Sequence, residues 1–189
     1  MLIKESVWLG NNIKSLNPNN VFPMLDLGSN SRKYREKLQP WIEKNIFKEP
    51  KRLGFKIIYT DQKNLPGVDL VGNIYNPKFQ EKLSKLKIKS IMCSNLLEHI
   101  EDRESLAKFI TKILPKQGYL FLSGPYRYRH HGDPIDTMFR PTVDELHQLF
   151  PTLKKNQRRN YNRLYLHNIS SQNTLCVHKI YPKTLPTFL

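Results

Sequence analysis

Short apolar runs recur along the first 150 residues of the 189-residue chain, and each one ends at a turn residue or an acid. Runs of about four to eight apolar residues bounded in this way are typical of buried β-strands. The runs that fit this description are 21–28, 55–61, 68–74, 89–95 and 119–126. The pattern therefore predicts a sheet whose strands are buried on both faces.

Amphipathic segments lie between these runs. Apolar residues recur at three- and four-residue spacing over 77–86, 103–114 and 142–150, which predicts helices with one apolar face. Residues 31–47 also contain helix formers but are interrupted at Pro40. Alternation of strand and helix predicts an α/β fold, with a mostly parallel sheet and helices on both faces.

Two more apolar segments, 162–169 and 172–181, have no helical pattern between them. We expect them to form an antiparallel hairpin at the edge of the sheet. The length fits one domain, so we assign residues 1–189 to a single domain with a polar N-terminal extension over 1–20. Ligands of such sheets bind at the carboxyl ends of the strands, where the strand order reverses.

The chain is strongly basic, with 31 Lys and Arg against 16 Asp and Glu and a formal net charge of +15. This charge favours anionic partners, such as nucleic acid or a nucleotide-linked sugar, although a solvated basic surface is the alternative. No apolar run approaches the roughly 18 residues of a membrane-spanning helix. Cys93 and Cys176 lie in apolar runs, which favours buried thiols and a cytoplasmic location.

Five motifs follow one another in a specific order: LDLGSNSRKY, YTD, VDLVGNI, SIMCSNLLEHI and ILPKQGYLFLSGPY. Their order and spacing over 21–150 resemble the class I S-adenosylmethionine-dependent methyltransferases, in particular the small ones with an LEH motif after the fourth strand. The resemblance implies a Rossmann-like methyltransferase fold with S-adenosylmethionine as the cofactor.

The resemblance also implies where the cofactor binds. Gly28 would let its methionine part approach the backbone, Asp61 would accept the ribose hydroxyls, and Asn73 and Ile74 would flank the adenine. The full implied set is Asp26, Gly28, Ser29, Asn30, Asp61, Asn73, Ile74, Ser94 and Asn95. The first loop reads GSNS and lacks the family's later glycines, and no G-x-G-x-x-G dinucleotide motif is present. Plain turn or capping roles are the structural alternative for these residues.

The segment after the fifth strand, GPYRYRHHGDPIDTMFRPT, is polar and charged. Its H-x-x-P-x-D pattern followed by R-P-T resembles methyltransferases found among glycan-modifying genes, where it covers the acceptor. The matching residues are His131, Asp133, Asp136 and Arg140, within an acceptor-side loop over 127–141. Candidate acceptor-binding residues are Tyr126, Arg129, His130 and Arg140. A salt bridge between Asp136 and Arg140 that folds the loop is the alternative.

A histidine suits the proton transfer of O-methylation, because its pKa is close to working pH. His131 and His99 are the candidate bases, with Asp133 or Asp136 orienting the ring. Glu98 and His99 also resemble a stretch of Mg-assisted enzymes that modify RNA 2'-hydroxyls. Those enzymes carry a Glu where Asn95 stands, so a divalent metal is not favoured here.

No D/N-P-P-Y/F motif for base N-methylation is present, so O-methylation is the expected reaction. The resemblance to methyltransferases found among glycan-modifying genes implies a hydroxyl of a sugar or glycan as the acceptor. The first alternative is a nucleic-acid methyltransferase of the RNA 2'-O type, favoured by the net charge. The second is a non-catalytic binding module that keeps the fold, favoured by the unusual GSNS loop.

Overall fold

The structure is a computed structural model that describes residues 1–125, 130 and 135–153, and the backbone of strands within 154–156, 163–167 and 174–180. Its centre is a parallel sheet of five strands. These are β1 (Met24–Leu27), β2 (Ile57–Asp61), β3 (Leu70–Val71), β4 (Ser90–Ser94) and β5 (Tyr119–Pro125). The predicted α/β class with a parallel sheet is confirmed.

The strand order across this part of the sheet is β3-β2-β1-β4-β5, and every neighbouring pair is parallel. The chain therefore runs outward in one direction from β1 and in the other from β4. Such a reversal leaves a crevice at the carboxyl ends of β1 and β4, because the helices that follow them cover opposite faces.

Three further strands extend the sheet beyond β5. They are β6 (Lys154–Asn156), β7 (Arg163–His167) and β8 (Thr174–Ile180). The backbone of β8 lies parallel to β5, with Tyr119 opposite Thr174 and Pro125 opposite Ile180, and β7 is antiparallel to its neighbours.

Helices cover both faces of the sheet. In chain order they are α1 (Ile3–Lys14), α2 (Pro18–Val21), α3 (Pro40–Ile42), α4 (Lys48–Arg52), α5 (Pro77–Ser84), α6 (Arg103–Ile113) and α7 (Val143–Leu149), with π-helical turns at Tyr34–Leu38 and Glu43–Phe47 and a 3₁₀ turn at Leu97–His99. None of the described helices is long and apolar enough to cross a bilayer.

Local chemistry explains where the predicted helices begin. Asn76 precedes Pro77 and caps α5 by accepting hydrogen bonds from the amides of Lys78 and Phe79. Asp102 caps α6 through the Ser105 amide. Thr142 and Glu145 form a capping box at α7. The observed helices accordingly begin at or within one residue of the predicted starts.

Alternate strand residues divide the core into two clusters, one on each face of the sheet. Leu25, Ile91 and Leu120 contribute to the cluster that contains the buried side chains of α5 and α6. Met24, Met92 and Phe121 contribute to the other, with side chains from α1 and the 34–47 segment. The helical segments thus cover both faces, as the alternation of patterns predicted.

The N-terminal segment differs from the polar extension that the sequence suggested. Residues Ile3–Lys14 form a helix that buries Trp8, Leu9 and Ile13 in the second cluster. Gly10 permits this packing, because a Cβ atom there would lie 2.1 Å from the Asn45 carbonyl oxygen. The helix is part of the core and carries one side chain of the site described below.

Candidate functional site

A cavity of about 960 Å³ opens at the carboxyl ends of β1, β2, β4 and β5. It lies at the reversal of strand order, where open α/β sheets bind their ligands. The structure brings all nine predicted cofactor residues into its wall. These are Asp26, Gly28, Ser29, Asn30, Asp61, Asn73, Ile74, Ser94 and Asn95.

The loop after β1 has a conformation that suits its sequence. Gly28 has a φ of +73°, which a glycine adopts without steric cost, and a Cβ atom there would lie 3.0 Å from the Leu96 side chain. Asn30 has a φ of +56°, and asparagine tolerates this region better than most residues. The amides of Gly28 and Ser29 both donate to the Thr60 carbonyl at 2.9 Å, which ties the loop to β2.

Arg35 holds this loop in place through hydrogen bonds to its backbone, a role that no motif in the sequence predicted. Its side chain is buried, and its guanidinium donates to the carbonyl oxygens of Ser29 at 3.0 Å, Asn30 at 2.5 Å and Gly67 at 2.8 Å. The guanidinium also lies 3.8 Å from the centroid of the Tyr59 ring. Arg35 thereby constrains the GSNS loop.

Asp61 joins the first loop to the end of β2. Its Oδ2 accepts a hydrogen bond from the Asn30 amide at 2.9 Å, and its Oδ1 accepts one from the Lys63 amide at 3.0 Å. A carboxylate has about four acceptor positions, so two backbone donors leave capacity for ligand hydroxyls. Its place in the cavity wall is compatible with the ribose-binding role that the resemblance implies.

The predicted adenine region lies after β3. Asn73 is exposed and its Oδ1 accepts the Tyr75 amide at 2.9 Å, as in a simple asparagine turn. Ile74 is half-buried and packs against the core cluster that contains α5. Both residues line the cavity. The turn at Asn73 therefore does not exclude contact between these residues and a ligand.

A buried polar cluster lies beneath the ends of β4 and β5. Ser94 and Ser123 are register partners in the parallel pair, and their hydroxyl oxygens are 2.5 Å apart. The fully buried carboxylate of Glu5, from α1, accepts hydrogen bonds from Ser123 at 2.7 Å, Ser94 at 3.2 Å and the Asn95 side-chain amide at 2.6 Å. Sequence reasoning missed Glu5, because it lies 89 residues before Ser94.

Asp26 lies at the end of β1 with its carboxylate buried in the cavity wall. Burial raises its pKa from 3.8 to about 7, because the charged form is poorly solvated, and neighbouring Arg35 offsets only part of this effect. The folded protein thus holds this proton more tightly than the unfolded chain does. The contribution of Asp26 to the free energy of unfolding is complete below about pH 4 and is lost as the pH rises toward 7.

Substitution of Asp26 by Asn should therefore change how stability depends on pH. The free energy of unfolding of D26N minus that of wild type should be larger at pH 8 than at pH 4, because the amide needs no proton to remain neutral. Urea unfolding of both proteins at the two pH values measures this difference. A pH-independent difference would contradict the raised pKa.

Glu98 lies in the 3₁₀ turn that follows β4. It lines the cavity, is only 2% exposed, and its Oε2 has no hydrogen-bond partner in the described part of the chain. Burial raises its pKa to about 7. The LEH motif therefore places a carboxyl group, as well as His99, in the cavity wall.

His99 is half-buried and lines the cavity, and its Nδ1 lies 2.5 Å from the Ile135 carbonyl oxygen. The contact joins the LEH turn to the segment after β5. The other predicted base, His131, lies outside the described residues, as do Asp133, Tyr126 and Arg129.

Asp136 and Arg140 form the salt bridge that was the structural alternative. Arg140 Nη2 lies 2.6 Å from Asp136 Oδ2 and Nη1 lies 3.0 Å from Oδ1, and the Asp136 side chain is fully buried. Neither residue lines the cavity, and His130 is exposed outside it. The predicted catalytic role of Asp136 and the acceptor role of Arg140 thus have a competing structural explanation.

Acidic side chains outnumber Lys and Arg side chains in the cavity wall, which reverses the balance in the whole chain. Its acidic residues are Asp26, Asp61, Glu98, Glu101 and Asp102, whereas its Lys and Arg residues are Arg35 and Lys63. Among the described residues, no three His, Cys, Asp or Glu side chains are grouped closely enough to hold a metal ion. The wall therefore favours a ligand with a positive charge or with hydrogen-bond donors.

Known proteins supply no family for this chain. Comparison with protein-family models, with curated proteins and with solved structures gives no match. The functional interpretation therefore rests on the motifs of the sequence and on the residues that line the cavity.

Proposed function

We propose that the chain is an S-adenosylmethionine-dependent methyltransferase with a class I fold, including a C-terminal antiparallel hairpin over 162–181. One observation carries the proposal. The nine residues that the motif resemblance assigns to the cofactor come from four separate strand ends, yet they line one cavity at the reversal of strand order. Strand ends of a parallel sheet meet at one edge in any case, so the support lies in the residue types that stand there: a glycine with a positive φ at position 28, a carboxylate at Asp61 and an amide at Asn73.

The cavity also fits the cofactor by size and charge. Pockets for ligands of this size have volumes of about 300–1,000 Å³, and the observed cavity measures about 960 Å³. S-adenosylmethionine carries a positive sulfonium and ammonium group, which suits the acidic wall. When bound, it supplies an activated methyl group.

The chain's own residues would then bind the cofactor and orient it. Gly28 and the loop held by Arg35 give close backbone approach, and Asp61 accepts the ribose hydroxyls. The remaining task is to hold an acceptor oxygen in line and remove its proton. We favour a sugar or glycan hydroxyl as the acceptor, because an acidic wall attracts donors and repels phosphate.

A nucleic-acid acceptor is the second candidate, and the net charge of +15 favours it. In that case, basic residues outside the cavity would bind the phosphates while a ribose hydroxyl enters. Transfer of a labelled methyl group to a panel of nucleotide sugars, oligosaccharides and short RNAs distinguishes the two. Phosphate-backbone recognition should weaken steeply with salt, whereas sugar recognition should not. Cofactor binding without transfer to any of them would favour a binding module.

Removal of the Asp61 carboxylate should weaken cofactor binding. D61A should bind S-adenosylhomocysteine with an affinity lower by about 1–3 kcal/mol, because the ribose hydroxyls lose their acceptor. Isothermal titration calorimetry measures the effect. Glu81→Ala is a suitable control, since it removes an exposed carboxylate that pairs with Lys85 outside the cavity. Absence of binding by the wild type at millimolar concentration would contradict the proposal.

A further inference from the structure

The Glu98 carboxyl is an unusual group to bury. It is 2% exposed, and within the described residues its Oε2 accepts no hydrogen bond. Burying a polar oxygen without a hydrogen-bond partner is unfavourable, and more so for a group that carries charge. Because the side chain lines the cavity, a ligand in the cavity could supply the missing donor.

Groups from several elements surround this carboxyl. The Glu5 carboxylate on α1 disfavours its ionisation, whereas His99 beside it and Arg140 from the segment after β5 favour the charged form. The Cys93 thiol on β4 is also near, and burial raises the pKa of that thiol. Burial dominates for Glu98 and raises its pKa to about 7, so the group can hold or release a proton near neutral pH.

Glu5 does not offer a carboxylate oxygen to a ligand, because both of its oxygens already accept hydrogen bonds. Three side-chain donors already occupy its Oε1, and the Leu2 amide donates to its Oε2 at 2.9 Å. Asp61 is similarly tied to two backbone amides. Of these three carboxyls, Glu98 is the one that combines deep burial with an oxygen left for a ligand.

We propose that the Glu98 carboxylate faces the point of methyl transfer and takes the proton of the acceptor hydroxyl. The proposal rests on the methyltransferase function proposed above. In the step, the acceptor oxygen forms a bond to the methyl carbon as the carbon–sulfur bond breaks. The bonding electron pair goes to sulfur, which becomes a neutral thioether. The hydroxyl proton goes to Glu98 Oε2.

Two cofactor analogues test the position of Glu98 without an acceptor. S-adenosylhomocysteine has a neutral sulfur, whereas sinefungin carries an amino group at the place from which the methyl would leave. Wild type should bind sinefungin more tightly than S-adenosylhomocysteine at pH 8, because the carboxylate faces the ammonium. E98Q should lose about 10–100-fold of this preference, the value of a hydrogen bond to a charged group, and keep its affinity for S-adenosylhomocysteine.

Two variants control for charge and folding. Glu104→Gln removes an exposed carboxylate at the start of α6, outside the cavity wall, and should leave the preference nearly unchanged. Glu98→Asp keeps the carboxylate and should retain part of the preference. If E98Q does not fold, wild type and D26N still provide a test. In both, the preference for sinefungin should fade as the pH falls below about 7, because D26N removes the other buried carboxyl of the wall whose pKa is raised to about 7.

The outcomes separate this inference from the proposed function. Failure of wild type to bind S-adenosylhomocysteine would overturn both. Normal binding of both analogues by E98Q, with the sinefungin preference intact, would overturn the role of Glu98 alone. With any acceptor found in the panel above, E98Q should also lower turnover by about 10²–10⁴-fold, the usual contribution of a general base, and retention of wild-type turnover would contradict the proposal.

Discussion

Replacement of Arg140 by Ala should lower the free energy of unfolding by about 3–5 kcal/mol, the usual cost of removing one partner of a buried ion pair. The Asp136 side chain is fully buried and Arg140 is only 10% exposed, and the two form a bidentate pair. Without the guanidinium, the Asp136 carboxylate keeps the Met138 amide as a hydrogen-bond donor but loses the countercharge that Arg140 supplies. Urea unfolding measures the change.

A double-mutant cycle with Asp136→Asn tests whether the two side chains act as a pair. The double variant should be more stable than the sum of the two single losses predicts, because the neutral amide no longer needs a countercharge. If the pair has a structural role, R140A should lower the free energy of unfolding. If R140A were as stable as wild type but raised the KM of an acceptor, Arg140 would instead contact the acceptor.

Arg35→Met should lower the free energy of unfolding by about 3 kcal/mol or more and should also abolish most cofactor binding. The guanidinium donates to three carbonyl oxygens, and hydrogen bonds to charged groups are worth about 1.5–3 kcal/mol each. Methionine approximately fills the space but donates nothing, so the Ser29 and Gly67 carbonyls lose the Arg35 donor and the Asn30 carbonyl keeps the Ser29 hydroxyl at 3.2 Å. The loop that lines the cavity would then relax from its present conformation.

Two controls make the Arg35 result specific. Arg35→Lys keeps the charge but lacks the planar fork that reaches several carbonyls at once, so its stability should lie between wild type and R35M. Arg52→Met removes an exposed arginine at the end of α4 and should change little. Unfolding in urea and calorimetry with S-adenosylhomocysteine measure both effects. Wild-type affinity in R35M would show that the loop holds its shape without the guanidinium.

Much of the fold could be predicted because the relevant signals are local. Apolar runs and amphipathic spacing located β2, β5 and α6 to within two residues at each end, since burial of a strand or a helix face imposes its period on the sequence. The third strand is only Leu70–Val71, much shorter than the predicted 68–74, because it pairs over two residues with β2. The N-terminal helix α1 escaped prediction, since its buried face includes the polar residues Glu5, Ser6 and Asn12.

The predicted cofactor residues illustrate what a sequence determines by itself. Asp61 ends a strand, whereas Gly28, Asn73 and Asn95 each lie just after one, and parallel strands all end at the same edge of a sheet. Once strand order was known to reverse between β1 and β4, these residues had to lie around one crevice. Their convergence in one cavity is therefore a consequence of local patterns and of the connection rules of α/β folds.

Only the tertiary structure decided which groups surround these residues. Arg35 contacts the first loop through its packing against Tyr59, Glu5 reaches Ser94 and Ser123 from a helix far away in sequence, and the Asp136–Arg140 pair is closed by burial. The Glu98 oxygen that has no hydrogen-bond partner among the described residues likewise depends on which side chains pack around it. Such contacts depend on side-chain directions and on burial in three dimensions, for which a linear pattern of residues carries no signal.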